Sequence, residues 1–225
     1  MNRQVMEKTR FEKRRVDVVL FDFGGVLADE GWKNGFTAIA AASGLDGEGL
    51  VSAATDAVYA SGYITGKGTR SDFWRLLREK TGLQGEADLW WREIFARFVL
   101  RAPMMDWVKK LKAEGLVVGI LSDQIDMLDA LDARDNFFSK FDHVFNSYHL
   151  GKGKRDESLF DDLAGFLKTE PIRILFIDDS PGNVDRARQK GWNAILYRDA
   201  KTFDSEMAEF FGTDCKTVPE KGGLK

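Results

Sequence analysis

The chain has 225 residues, 44% hydrophobic and 31% charged, with both signs mixed to a net charge of −3. That balance gives no electrostatic case for nucleic acid as a partner, and no apolar run approaches the roughly 20 residues of a membrane helix. The single cysteine, Cys215, excludes an internal disulfide and fits a reducing, cytoplasmic setting.

Residues 1–15 (MNRQVMEKTRFEKRR) are basic and carry no apolar h-region, so a solvated N-terminal tail is expected rather than a secretory signal. VDVVLFDF (16–23) is the first of five short apolar runs. The others are LVVGILSD (116–123), DHVFNSY (142–148), IRILFIDD (172–179) and NAILYRD (193–199). Most do not alternate apolar with polar, which is how strands buried on both faces of a parallel sheet read. Between the first two runs, residues 29–100 show aromatics at helical spacing, among them Trp32, Phe36, Phe73, Trp74, Trp90 and Phe98. So long a stretch is no loop, and it predicts a helical cap subdomain of about four helices whose aromatics form its own core.

Helical patterns separate the later runs. Residues 103–114 begin on Pro103 and stop before Gly115, and residues 124–135 and 155–168 repeat apolar residues every three or four. Residues 181–190 begin on Pro181 with Ser180 as a natural N-cap. Strand alternating with helix predicts an α/β fold: a doubly wound, Rossmann-like parallel sheet formed by residues 16–28 and 101–212. Residues 213–225 are expected to be a C-terminal tail.

In such sheets ligands bind beyond the carboxyl ends of the strands. Three of the runs end there in Asp22, in Ser122 with Asp123, and in Asp178 with Asp179. One terminal aspartate reads equally well as a turn or a cap. Several together repel and raise one another's pKa, a cost that a hard cation such as Mg²⁺ relieves. LGKGKRDESLF (150–160) adds Lys152, Lys154 and Arg155 on the same edge, cations suited to an anionic substrate. His143 and His149 have no metal-binding or nucleophilic neighbours in the sequence and read as structural.

The ordered set DFGGV, LSD, GKGKRD and FIDDSPGN resembles the four motifs of the haloacid dehalogenase superfamily, over residues 16–199. Within it, the chain looks similar to sugar-phosphate phosphatases and to the phosphatase domain of soluble epoxide hydrolase. The resemblance implies a Mg²⁺-dependent hydrolase of a small phosphorylated metabolite, with Asp22 as the nucleophile that becomes phosphoaspartate. It implies metal contacts from Asp22, Asp179 and the Gly24 carbonyl, with Asp178 assisting through water. Ser122, Asp123 and the neighbouring backbone would meet the phosphoryl group. Lys154 would neutralise charge on it and on Asp22, and Asn183 would orient Lys154 or an acidic partner.

Three positions depart from the family pattern. Gly24 stands where phosphatases of the family carry a second aspartate, which works as acid and base. Asp123 replaces the usual Asn, which weakens phosphate binding unless the side chain turns away or is protonated. Arg155 replaces the usual Pro, leaving Lys152 and Lys154 to compete for one role, with the register favouring Lys154. Two alternatives stay open: a 2-haloacid dehalogenase, which lacks the acidic pair, and a phosphate-binding protein without turnover. A phosphonate hydrolase would need a cap lysine, for which Lys67 is a weak candidate. Residues 29–36 and 61–69 are expected to line the cleft. Trp32 is expected to pack in the cap core rather than stack on a sugar. A homodimer is compatible with the sequence.

Overall fold

The computed structural model describes residues 16–211. The expected tails, 1–15 and 213–225, lie outside the described residues. Five strands, β1 (Val18–Phe21), β2 (Val117–Ser122), β3 (His143–Asn146), β4 (Ile174–Asp178) and β5 (Asn193–Leu196), form one parallel sheet in the order β3-β2-β1-β4-β5. The chain extends the sheet to one side of β1, then returns to build β4 and β5 on the other. The switch point therefore lies between β1 and β4.

Alternate residues of the strands serve two apolar layers. Val19 and Phe21 of β1 face a core that includes α5 (Ala102–Ala113), α6 (Met127–Asp135) and α10 (Ala200–Phe211). Val18 and Leu20 face the other layer, formed with Leu159, Phe160 and Leu163 of α8 (Ser158–Leu167) and Ala187 of α9 (Pro181–Gln189). Because helices cover both faces, the strands need no polar side, which accounts for their unbroken apolar runs.

Four α-helices stand between β1 and α5: α1 (Gly31–Ser43), α2 (Gly47–Ala60), α3 (Arg70–Thr81) and α4 (Ala87–Ala96). Local signals bound them. Asp46 caps α2, Thr69 and Asp72 form a capping box on α3, and Gly44 and Gly82 end α1 and α3 in the left-handed conformation. Phe36, Phe73 and Trp74 are buried together, and Trp32 packs on Phe36 with ring centroids 4.9 Å apart. The chain leaves and re-enters the sheet along paired segments. Asp29 N–H donates to Val99 O (2.9 Å) and Arg101 N–H to Leu27 O (2.8 Å), with Ala28 bridged to Leu100. The Arg101 guanidinium ties this crossing together through Asp29 (3.0 Å) and Gly25 O.

Two local expectations need correction. The third apolar run is a strand only to Asn146; Ser147 opens the short helix α7 (Ser147–Leu150), because the Asn146 side chain caps the Tyr148 amide. Ser180 occupies the N-cap position of α9, but its side chain makes no capping bond. Its amide is drawn instead to Asp178 Oδ1 at 2.8 Å.

Helix α1 approaches α4 closely at Gly35, where a Cβ would lie 2.7 Å from Ile94 Cγ1 and 2.8 Å from Ile94 Cα. Backbone cannot yield as a side-chain tip can. Gly35→Ala is therefore expected to lower stability by about 1–3 kcal/mol, read as a fall in the urea midpoint at unchanged slope.

Candidate active site

Asp22 is the first residue past β1. Its amide donates to Ile177 O at 2.8 Å, so pairing with β4 continues up to the carboxylate. Asp22 Oδ1 accepts from the Phe23 amide (2.7 Å) and lies 3.0 Å from Lys154 Nζ. Lys154 Nζ also donates to Asp178 Oδ2 at 2.7 Å. Asp22, Asp178 and Lys154 are 7%, 0% and 1% exposed, so this ion triad is largely buried, with Asp22 its most exposed member.

The other bonds around the triad hold the lysine in place. Asp178 Oδ1 accepts from the Ser180 amide, and Asn183 Nδ2 donates to both Asp178 oxygens at 3.1 Å. Arg186 joins Asn183 Oδ1 (2.6 Å) to the Lys154 carbonyl (2.8 Å). The structure thus brings Asn183 to Asp178 rather than directly to Lys154. Lys152 lies elsewhere, donating to Ser158 Oγ at 2.8 Å and pairing with Asp162. Lys67 is not among the residues lining the cleft.

Asp22, Asp178 and Asp179 offer carboxylate oxygens that all lie within 4.8 Å of one another. Burial lifts the pKa of Asp22 to about 8; Lys154 opposes the rise, and Asp178 and Asp179 add to it. Burial opposes charge on Lys154, but Asp178 and Asp22 outweigh it and raise its pKa above the ordinary lysine value. Asp179, at the solvent edge, is raised by desolvation and by Asp178. The cluster holds more negative charge than one ammonium balances. Gly25 makes room for it. Its φ is +82°, and a Cβ there would sit 2.1 Å from Asp179 Oδ2.

These residues open onto a cavity of about 430 Å³, a size suited to a small molecule. Asp22, Gly24, Ser122, Asp123, Lys154 and Asn183 line it from the sheet side. From the insertion come Glu30, Trp32 and Ile64, within the two segments expected to line the cleft, together with Thr55, Val58 and Tyr59 of α2. The contribution of α2 was not foreseen, although the 55, 58, 59 spacing marks one helical face.

Asp123 is turned aside. Its Oδ1 accepts from the Lys154 amide (2.8 Å) and its Oδ2 from the Tyr59 hydroxyl (2.9 Å). Burial, with Asp123 beside it, raises the pKa of Tyr59, which keeps the phenol a donor. The Arg155 guanidinium lies 3.6 Å from the centre of the Tyr59 ring. Two departures from the family pattern, Asp123 and Arg155, therefore meet on one tyrosine. His149 pairs with Asp129 at 2.7 Å and His143 stacks on Phe145, both away from the cleft lining.

Glu30 was also missed as an individual residue. Its Oε1 accepts from the Lys33 amide (3.0 Å), capping α1. Its Oε2 would lie 3.2 Å from a Cβ placed on Gly24. Burial raises the pKa of Glu30, and Asp179 adds to the rise against the pull of the Lys33 amide.

Bifunctional epoxide hydrolase 2 of Rattus norvegicus is 27% identical over 138 residues, which is 56% of this chain and 24% of that protein. The chain thus spans about a quarter of that relative's length. Among solved structures, the HAD family enzyme bt-2542 of Bacteroides thetaiotaomicron superposes with a TM-score of 0.69 at 20% identity, covering 86% of this chain and 98% of that one. A second structure of that enzyme is a complex with magnesium and inorganic phosphate. The L-2-haloacid dehalogenase of Xanthobacter autotrophicus, with chloropropionic acid covalently bound, superposes with a TM-score of 0.58 at 19% identity, covering 87% and 84%. At such identities the superpositions speak for the shared fold. The family described as haloacid dehalogenase-like hydrolase matches residues 16–191, and the chain belongs to it.

Proposed function

We propose that the chain is a Mg²⁺-dependent phosphomonoesterase that works on a small phosphorylated metabolite through a phosphoaspartate on Asp22. The observation that carries this reading is the buried triad with a third carboxylate beside it: Asp22, Lys154 and Asp178, with Asp179 at the rim. The donor set is all oxygen and over-negative, which fits a hard divalent ion. Asp22 and Asp179 would hold it, since Asp178 already accepts from Lys154, Ser180 and Asn183. When bound, the ion supplies Lewis-acid polarisation of a phosphoryl oxygen and offsets charge on the nucleophile.

The rest of the work falls to the chain's own groups. The Phe23 amide and Lys154 both hold Asp22 Oδ1, which fixes the carboxylate plane for attack on phosphorus. Lys154 offsets charge as it develops; Asn183 fixes its partner Asp178, and Arg186 holds its backbone carbonyl. Ser122, buried at the end of β2 and lining the cavity, offers its hydroxyl to the phosphoryl oxygens. Because Tyr59 and the Lys154 amide occupy both Asp123 oxygens, that charge is directed away from the phosphate. The magnesium and phosphate held by bt-2542 support the reading.

Hydrolysis of p-nitrophenyl phosphate is expected to require Mg²⁺ and to fall by on the order of 10³-fold or more in Asp22→Asn. Metal-independent chloride release from 2-chloropropionate would point to dehalogenation instead. Absence of turnover on a broad phosphate panel, with Mg²⁺ still bound, would leave a binding protein. A second measurement needs no turnover: Mg²⁺ at 100 times its Kd should stabilise the fold by about 2.7 kcal/mol, and Asp179→Asn should lose most of that shift in melting temperature. An undiminished shift in the variant would remove Asp179 from the ion's ligands.

A further inference from the structure

A phosphomonoesterase of this kind needs a proton for the departing oxygen and a base for the water that follows. The carboxylates lining the cavity are Asp22, Asp123 and Glu30. Asp22 is committed as the nucleophile under the reading above, on which this inference rests. Both Asp123 oxygens are occupied, by the Lys154 amide and the Tyr59 hydroxyl. Glu30 remains. One of its oxygens is tethered to the Lys33 amide, and none of the described residues hydrogen-bonds the other, Oε2. That free oxygen lies 3.2 Å from where a side chain on Gly24 would begin, two residues beyond the nucleophile.

We propose that Glu30 is the general acid and base of the reaction, supplied from the N-cap of α1 at the head of the helical insertion, beside the position where Gly24 lacks a side chain. In the first half-reaction the Asp22 carboxylate bonds to phosphorus and the phosphorus–oxygen bond to the leaving group breaks. Glu30 passes its proton to that oxygen, releasing an alcohol and leaving a carboxylate. In the second half-reaction a water oxygen bonds to phosphorus, its proton goes to Glu30, and the bond from phosphorus to Asp22 breaks. Inorganic phosphate leaves, and Glu30 is protonated again.

The placement has a physical logic. The Oε1 tether makes Glu30 the cap of α1, so the group that moves the proton is held rigidly by a helix end. Its stem comes from the insertion side of the cleft, whereas the nucleophile comes from the sheet. Acid and nucleophile thus meet across the cavity, with the substrate's ester oxygen between them.

The test compares Glu30→Gln with the parent on two substrates. Gln keeps an oxygen to accept from Lys33, so α1 retains its cap, and an unchanged melting temperature confirms that. The variant should lose about 10²-fold or more in kcat/KM on n-butyl phosphate, whose leaving group needs a proton. On p-nitrophenyl phosphate, whose leaving group does not, kcat/KM should change by less than about threefold. A burst of one p-nitrophenol per enzyme should precede a slow steady state, because breakdown of the phosphoenzyme has lost its base. Gly24→Asp in a Glu30→Ala background should restore alkyl phosphate turnover. Equal losses on both substrates, or no loss on either, would overturn the role of Glu30. Those results are read in a protein whose activity Asp22→Asn abolishes. If Asp22→Asn leaves activity intact, the phosphoaspartate reading itself fails, whatever Glu30 does.

Discussion

One ammonium shared between two buried carboxylates organises this site. Lys154 reaches Asp22 and Asp178 at 3.0 and 2.7 Å with almost no exposure. Burying any of the three alone would be costly, and burying them together is offset by their mutual pairing and by the hydrogen bonds that occupy both oxygens of Asp178 and Oδ1 of Asp22. The surrounding structure reads as the means to that end. The turn after β4 aims the Ser180 amide at Asp178, and the first turn of α9 brings Asn183 to the same carboxylate. Arg186 then reaches over to the Lys154 carbonyl and locks the neighbouring loop. With all three ionised, two carboxylates against one ammonium already leave the triad negative, and Asp179 beside it adds to that charge. That residual charge is the feature on which the proposed Mg²⁺ site at the rim of the triad rests.

The loop after β1 is shaped by the same constraint. Gly25 adopts a positive φ and gives Asp179 the volume that any side chain would take. Gly24 carries no such strain. Its missing side chain opens space toward Glu30 and Phe98 instead. Two adjacent glycines thus serve two different neighbours, one on the sheet and one in the insertion.

The strands and their terminal aspartates were legible because both depend on local pattern. Continuous apolar runs mark strands covered on both faces, and a carboxylate at the open end of three of them, β1, β2 and β4, is visible as soon as the run stops. The choice of Lys154 over Lys152 was legible only through register with a family motif. Other features were hidden because they are tertiary. No local signal says that Tyr59 will reach Asp123, or that Arg155 will lie on the same ring; these residues are 64 and 96 positions from Tyr59 only in sequence, and neighbours in space. Glu30 was hidden for a different reason. A carboxylate ahead of a helix looks like an ordinary cap, and it is one; that its second oxygen faces the vacancy at Gly24 depends on how α1 is set against the sheet. The ends of elements were least legible where a side chain competes for the backbone, as Asn146 does in stopping β3.

The crossing between sheet and insertion has one more consequence. Residues 27–29 and 99–101 run side by side, joined by backbone bonds and by Arg101. Entry and exit of a segment of about seventy residues are thus a single hydrogen-bonded step apart. A segment held by such a narrow neck can be lengthened, shortened or exchanged without altering a strand. The carboxylates at the strand ends can thereby persist while most of the helices that face them vary, with Glu30 at the head of α1 as the one cavity-lining carboxylate that would travel with the insertion.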